Sequence, residues 1–199
     1  MTVLSDKEIK KLIKSKELVI HPILAENQIQ GSKVDLRLSN TIYLIKYFER
    51  AYYDPRTDVD IEYGDEKTIS FDKPFILQPG DFAIAPLFER IRLPDNIAGR
   101  LDGRSSFGRL GVIVHATAAG IDPGFRGKLT CELSNLGKVP VALYPLTRIA
   151  SLTLEKLDSK AKEPYNRRPE KKYKSSLSTL LSHDYEFRMK LFEKLINLL

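Results

Sequence analysis

Between Val34 and Leu154 the chain breaks into short apolar segments separated by turn residues, and this texture limits what it can fold into. The segments Val34–Leu38, Ile42–Ile45, Phe75–Leu77, Phe82–Leu87, Val112–Ala116, Leu129–Leu133, Val141–Leu143 and Ile149–Leu154 each have the length of a strand. Gln78-Pro79-Gly80-Asp81, Leu93-Pro94-Asp95-Asn96, Asp122-Pro123-Gly124 and Asn135-Leu136-Gly137 punctuate them. Many short strands with frequent turn signals predict an all-β barrel or a jelly-roll-like sandwich. Strands do not alternate with helices, so a doubly wound sheet is not expected. Ala51–Lys67, rich in Asp, Tyr and Glu, reads as a surface excursion.

A helix precedes this body. Ser5 and Glu8 form a capping box, in which each side chain can satisfy the other's orphan backbone N–H. Leu4 and Ile9 stand at the positions of a hydrophobic staple, and Ile9, Leu12 and Ile13 make a narrow apolar stripe beside Lys7, Lys10, Lys11 and Lys14. After Leu157 the β pattern stops. Asp158–Ser176 is charged and reads by itself as a flexible tail. Tyr185–Leu199 carries Phe187, Leu191, Leu195 and Leu198 at the spacing of an amphipathic helix. The expected organisation is one β domain with its helix over 1–157, then a lid segment and helix over 158–199. A chain of 199 residues suits one well-buried core.

Charge and cysteine content narrow the function. The net charge of +6 invites a nucleic-acid reading. Much of the excess, however, sits in Arg167, Arg168, Lys171, Lys172, Lys174 and the first helix, with acids and bases interleaved elsewhere. No basic-aromatic stripe supports nucleic acid. No apolar run approaches the ~18 residues of a membrane span, and the first residues carry no secretory signature. The single cysteine, Cys131, suits a reducing interior. The expected location is therefore the cytoplasm, with neither membrane nor nucleic acid as partner.

Four places can carry chemistry. Gly103–Gly111 combines two arginines, two serines and three glycines, the parts of a phosphate cradle, although a surface turn has the same composition. Asp122 opens Asp-Pro-Gly, which is a complete β-turn formula in itself. On a strand, Leu129, Cys131 and Leu133 share one face and Lys128, Thr130, Glu132 and Ser134 the other. Glu132 is then either a solvated side chain or a carboxylate held rigidly beneath a pocket as a general base. His115 ends an apolar run and reads as a satisfied structural histidine. One Cys and the three histidines His21, His115 and His183 cannot build the His/Cys/Cys zinc site of zinc deaminases.

Taken in order, Gly103-Arg-Ser-Ser-Phe-Gly-Arg-Leu-Gly111, His115-Ala-Thr-Ala-Ala-Gly-Ile-Asp-Pro-Gly-Phe125 and Gly127-Lys-Leu-Thr-Cys-Glu-Leu-Ser-Asn135 resemble the core motifs of dCTP deaminases. Leu4–Lys10, Ser32–Leu38 and Pro164–Tyr173 are similar to the same family. The resemblance implies a distorted jelly-roll or β-barrel of the dUTPase-like type, flanked here by the N-terminal helix and a C-terminal helical tail. It also implies a homotrimer with active sites at subunit interfaces. By the same resemblance Glu132 takes a proton from the water that attacks cytosine C4, with Ser105 and Arg109 orienting that water. Arg104, Ser105, Ser106 and Arg109 bind phosphates, with Phe107 and Gly108 beside them. Backbone at Ala116, Thr117 and Ala118 reads the base, Asp122 takes the deoxyribose 3′-hydroxyl, and Thr130, Cys131 and Glu132 belong to the nucleotide-binding set, as do Phe107, Gly108 and the tail position Ser176. Tyr165 and Lys172 close from the tail. Magnesium rides on the triphosphate, no zinc takes part, and dTTP is a candidate feedback inhibitor.

Three positions depart from the family pattern. Ser176 stands where a phosphate-binding Gln is usual, Leu146 replaces the Gly of a Pro-Gly turn, and Ser151 stands where some members have Gln. The expected reaction is dCTP to dUTP and ammonia. The alternatives are a dUTPase, in which Asp122 would position water near the α-phosphate, and a bifunctional enzyme that forms dUMP. Glu132 favours deamination, because dedicated dUTPases usually carry an apolar residue there. A non-catalytic protein on the same fold is disfavoured by Arg104, Ser105, Arg109 and Glu132 occurring together.

Overall fold

A computed structural model describes residues 2–45, 66–117 and 119–167. The strands are β1 (Thr2–Val3), β2 (Val19–His21), β3 (Ile29–Gln30), β4 (Lys33–Arg37), β5 (Thr41–Leu44), β6 (Glu66–Thr68) and β7 (Phe75–Leu77). They continue with β8 (Phe82–Arg92), β9 (Ile97–Gly103), β10 (Val112–Ile113), β11 (Gly120–Ile121), β12 (Arg126–Asn135), β13 (Val141–Leu143) and β14 (Arg148–Lys156). One sheet runs β11-β9-β14-β4-β3, with β1 added to β14. The other runs β10-β12-β8-β5-β6, with β2 added to β8, and β7 pairs with β13 apart from both. The sheets are open, so the mainly β body is a jelly-roll-like sandwich, not a closed barrel.

Period-two alternation builds this body. On β12, Leu129, Cys131 and Leu133 are buried while Lys128 and Thr130 are exposed, as the sequence pattern predicts. On β8, Ala83, Ala85, Leu87 and Ile91 face the same core. Each fully buried Leu or Ile contributes about 1.5–3 kcal/mol relative to exposure. β14 breaks the alternation, since Ile149–Leu154 are all buried, Ser151 and Thr153 included. It lies between β9 and β4, and the burial of successive residues shows that neither of its faces is open to solvent there.

The first helix, α1 (Asp6–Lys14), starts where expected. Ser5 Oγ accepts the Glu8 N–H at 3.4 Å, and Leu4 and Ile9 are both buried across the cap. Two strands differ from expectation in instructive ways. β8 runs on to Arg92 because Glu89, which reads as polar, is wholly buried and paired there with Arg37. β9 carries Gly99, Gly103, Arg100 and Asp102, which dilute its apolar pattern, although Ile97 and Leu101 are core residues. Six of the strands (β1, β2, β3, β6, β9 and β11) carry no readable periodicity, and most are only two or three residues long. Of the Ala51–Lys67 excursion, only Glu66 and Lys67 fall among the described residues, in β6.

Candidate active site

Glu132 lies on the outward face of β12, opposite Ile84 of β8. Beyond Val112–Ile113 the chain continues antiparallel beside β12, and the Glu132 N–H donates to the Val114 carbonyl at 3.2 Å. β10 is thus shorter than the expected Val112–Ala116 strand, and the next two residues come to the carboxylate. The Ala116 N–H donates to Glu132 Oε2 at 3.0 Å, and His115 Nδ1 lies 3.4 Å from the same oxygen. The latter contact is within ion-pair distance but lacks hydrogen-bond alignment, and Nδ1 is buried with no other partner. The reading of His115 as a satisfied structural residue is corrected at this atom. Glu132 is about one-third exposed, so one side of the carboxylate is held while solvent reaches the group.

The Gly103–Gly111 segment turns through a one-turn helix, α2 (Ser105–Gly108), with Arg104 at its N-cap. Ser105, Ser106, Gly108 and Arg109 are exposed, and Phe107 packs against the core. Gly111 holds the turn in place. Its φ is +83°, and a Cβ there would lie 2.5 Å from the Gly137 nitrogen. The Leu136 N–H donates to the Gly111 carbonyl at 2.8 Å, so α2 is seated at the end of β12. Asn135, read in sequence as turn punctuation, is fully buried at that junction, with Nδ2 donating to the Leu77 and Val139 carbonyls.

Arg104 and Arg148 approach one carboxylate oxygen, Asp35 Oδ2, at 3.5 and 3.4 Å. Arg104 follows β9, Arg148 opens β14 and Asp35 lies on β4, which are neighbouring strands. Arg104 also lines a cavity of about 280 Å³ with Gln28, Gln30, Ser32, Lys33 and Asp35. Sequence reasoning did not find this use of Asp35; the only hint was its place in the Ser32–Leu38 motif.

Asp122 is exposed and opens the expected turn, with the Phe125 N–H donating to its carbonyl at 3.2 Å. Tyr165 meets this turn. Its N–H donates to the Pro123 carbonyl at 2.8 Å, and its ring packs tilted against that of Phe125, with centroids 5.5 Å apart. Gly124, with φ of +79°, permits the approach, since a Cβ would lie 2.8 Å from Pro164 Cβ. The flexible-tail reading of Asp158–Ser176 is therefore corrected for its first part. The Leu157 and Ala161 N–H groups donate to the Asn96 and Asp95 carbonyls, and Arg167 pairs with Asp95 at 2.9 Å.

The fold thus brings Glu132 to Ala116 and His115, Arg104 to Asp35, and Asp122 to Tyr165. Among the described residues, no hydrogen bond or ion pair joins the Glu132 side chain to Ser105 or Arg109. Thr117 and Thr130 are exposed. Cys131 points away from Glu132 into the core, so only its backbone can face a ligand; burial foremost, and then the Glu132 charge, push its thiol up to about 12. Ala118, Lys172, Ser176 and the Tyr185–Leu199 segment lie outside the described residues.

A partly exposed carboxylate on β12 and an exposed serine-arginine turn seated at the end of the same strand, on an open two-sheet sandwich, place this chain among β proteins with polar surface sites. The chain belongs to the dCTP deaminase-like family, whose model matches residues 3–157. It is 48% identical over 166 residues to the dUMP-forming dCTP deaminase of Methanosphaera stadtmanae, covering 83% of this chain and 84% of that protein. It is 49% identical over 172 residues to the dUMP-forming dCTP deaminase of Dictyoglomus turgidum, with 86% and 89% covered. The dCTP deaminase of Mannheimia succiniciproducens is 41% identical over 186 residues, with 90% and 96% covered. The crystal structure of 2′-deoxycytidine 5′-triphosphate deaminase from Agrobacterium tumefaciens superposes with a TM-score of 0.63 at 25% identity. That match covers 77% of this chain, which spans about half (47%) of the other chain's length. Among the described residues no helix is long and apolar enough to cross a membrane.

Proposed function

We propose that this protein is an enzyme that deaminates dCTP and carries the product on to dUMP, so that dCTP and two waters give dUMP, ammonia and pyrophosphate. Deamination rests on one observation above the others. Glu132 is held on a rigid strand with Oε2 fixed by the Ala116 N–H, while the group remains open to solvent. In this reading Glu132 takes a proton from the water attacking cytosine C4 and returns protons to the ring nitrogen and the departing amine. The backbone beside Ala116 reads the base, and Asp122 with Tyr165 holds the sugar. Arg104, Ser105, Ser106 and Arg109 bind phosphates. Lys172, outside the described residues, is a further phosphate ligand in this reading.

The family pattern alone leads to dUTP as the product. The dUMP-forming names of the relatives from Methanosphaera and Dictyoglomus support the bifunctional alternative instead. In the second step Asp122 positions water near the α-phosphate, within the same pocket.

The contacts of Glu132 within one chain are to His115 and Ala116, which supports an assembly, a homotrimer in this reading, where a neighbouring subunit supplies Ser105 and Arg109. Magnesium would ride on the triphosphate. Magnesium usually binds through substrate phosphates with one or two carboxylates, so the phosphate oxygens would be its main ligands. One Cys and three His fall short of a His/Cys/Cys zinc set, and the proposed deamination uses none.

The test is to incubate the protein with dCTP and magnesium and to resolve dUTP, dUMP, ammonia and pyrophosphate. The expected outcome is dUMP and ammonia in equal amounts. Accumulation of dUTP alone refutes the second step. Glu132→Gln should retain dCTP binding and lose about 10²–10⁴ in deamination rate, the usual worth of a general base. Turnover near that of the unaltered protein would remove Glu132 from this role.

A further inference from the structure

β8 lies between β2 and β12, and the pairing register aligns basic residues across all three strands. His21 stands opposite Arg90, which stands opposite Lys128. Two residues further along β8, Arg92 stands opposite Arg126. Directly opposed residues of antiparallel strands share a face, and positions two apart return to it. His21, Arg90, Arg92, Arg126 and Lys128 therefore share one face, the outward one, since Ile20, Ile91 and Leu129, next to them in the chain, are buried.

Like charges directly opposed are destabilising, by roughly 0.2–1 kcal/mol per pair. Nothing among the described residues relieves this cluster with an opposite charge. Arg92 donates to the Lys16 carbonyl at 2.6 Å, and Lys128 Nζ lies 5.8 Å from the Phe88 ring centroid; neither partner is anionic. No carboxylate lies within ion-pair distance of Arg90, Arg92, Arg126 or Lys128 among the described residues. Elsewhere on the surface Lys10, Lys11, Arg100, Arg104, Arg148 and Arg167 all have one. The nearby acids are otherwise placed. Glu17 accepts from Ser15 Oγ, and Glu89 is buried on the opposite face with Arg37. Glu132, four residues from Lys128, is about 13 Å along the strand at roughly 3.3 Å per residue.

We propose that this face is a second anion site, distinct from the Arg104–Arg109 turn, that takes a condensed phosphate: a diphosphate or triphosphate group, free or carried by a nucleotide. Strand spacing of about 4.8 Å and a two-residue rise of about 6.6 Å put the four permanent cations in a patch the size of one such group. Arginine forks suit its oxygens. A duplex would require a longer basic surface, of about 6–10 phosphate contacts. A single strand would require stacking aromatics between the cations. The site stands on this geometry alone and does not depend on the dCTP reading.

Calorimetric titration of the full chain with pyrophosphate, and separately with dCTP, at fixed ionic strength tests it. Three variants are compared with the unaltered protein: R126S/K128S, the charge-conserving R126K/K128R, and R104A/R109A. Pyrophosphate should bind R104A/R109A and R126K/K128R, and should bind R126S/K128S at least about tenfold more weakly. Turnover of dCTP by R126S/K128S should stay within about twofold. Unchanged pyrophosphate affinity in R126S/K128S overturns the site, as does loss of pyrophosphate binding in R104A/R109A. A second equivalent of dCTP that binds the unaltered protein and is lost in R126S/K128S assigns the site to a nucleotide's phosphates; pyrophosphate binding lost in R126S/K128S with the dCTP stoichiometry unchanged assigns it to the free anion. An unchanged dCTP affinity in R104A/R109A counts instead against the phosphate role of the Arg104–Arg109 turn and leaves the second site standing.

Discussion

Replacing Arg37 by Met should cost about 3–5 kcal/mol of folding stability. Glu89 is completely buried and Arg37 nearly so, and their side chains meet at 3.1 Å. Across that gap the attraction is roughly 5 kcal/mol at an effective dielectric of 20. The carboxylate also accepts the Arg37 N–H at 2.9 Å and the Gln28 Nε2–H at 2.9 Å, so its lone pairs are used where water cannot reach. Removing the guanidinium leaves a buried charge with two neutral donors, and breaking a buried pair from one side typically costs 3–5 kcal/mol. Against a total of about 5–15 kcal/mol for a domain, that is a large fraction. Replacing both partners, as in R37M/E89L, should recover much of the loss, because an apolar pair of similar volume removes the desolvation penalty with the attraction. Urea unfolding of the three proteins at one fixed protein concentration measures this. A loss below about 1 kcal/mol in R37M, or a double variant as unstable as R37M, would refute the reasoning. The pair also bears on the site. Gln28 Nε2 donates to the Asp35 carbonyl at 2.9 Å, and Asp35 in turn holds Arg104 and Arg148.

Two further outcomes follow from single side chains. With its thiol pushed up to about 12, Cys131 should resist iodoacetamide at pH 8 in the native protein and react once unfolded in urea. Since the folded state holds that proton more tightly, this contribution to stability is present below the ordinary thiol value near 8.5 and is lost as pH rises from there through about 12. Native alkylation at the unfolded rate would contradict the burial. Leu146 has φ of +61°, in the left-handed region that costs a side-chain-bearing residue about 1–2 kcal/mol. Leu146→Gly should therefore stabilise the fold by roughly 0.5–1 kcal/mol after the greater chain entropy of glycine is subtracted, and a loss in thermal unfolding would show that the leucine's contacts outweigh its strain.

Leu146 also shows how residue patterns and structure divide the explanation. The Pro-Leu in place of Pro-Gly is legible as a departure, but only the turn geometry reveals that leucine accepts a glycine conformation there. The main strands, the α1 cap, the Asp122 turn and the two faces of β12 were all legible, because each follows from residues within a few positions of one another. Period-two alternation put Cys131 inward and Glu132 outward without any knowledge of neighbours. The motifs likewise mark Arg104, Ser105, Arg109, Asp122 and Glu132 as residue types suited to a nucleotide.

Contacts between distant residues decided the rest. Glu89 reads as a polar interruption until Arg37, 52 positions away, meets it across the two sheets. His115 and Ala116 reach the Glu132 carboxylate only because the antiparallel register of β10 with β12 carries the chain past it. The segment 158–167 has a tail's composition, yet backbone hydrogen bonds to Asp95 and Pro123 lay it on the domain. Opposed cations at Arg90–Lys128 and Arg92–Arg126 are scattered basic residues in the sequence, and a strand register is what gathers them. Local periodicity reports which face of an element is apolar; which elements meet, and which charges they bring together, is set by the sheet pairing and packing that minimise exposed apolar surface over the whole chain.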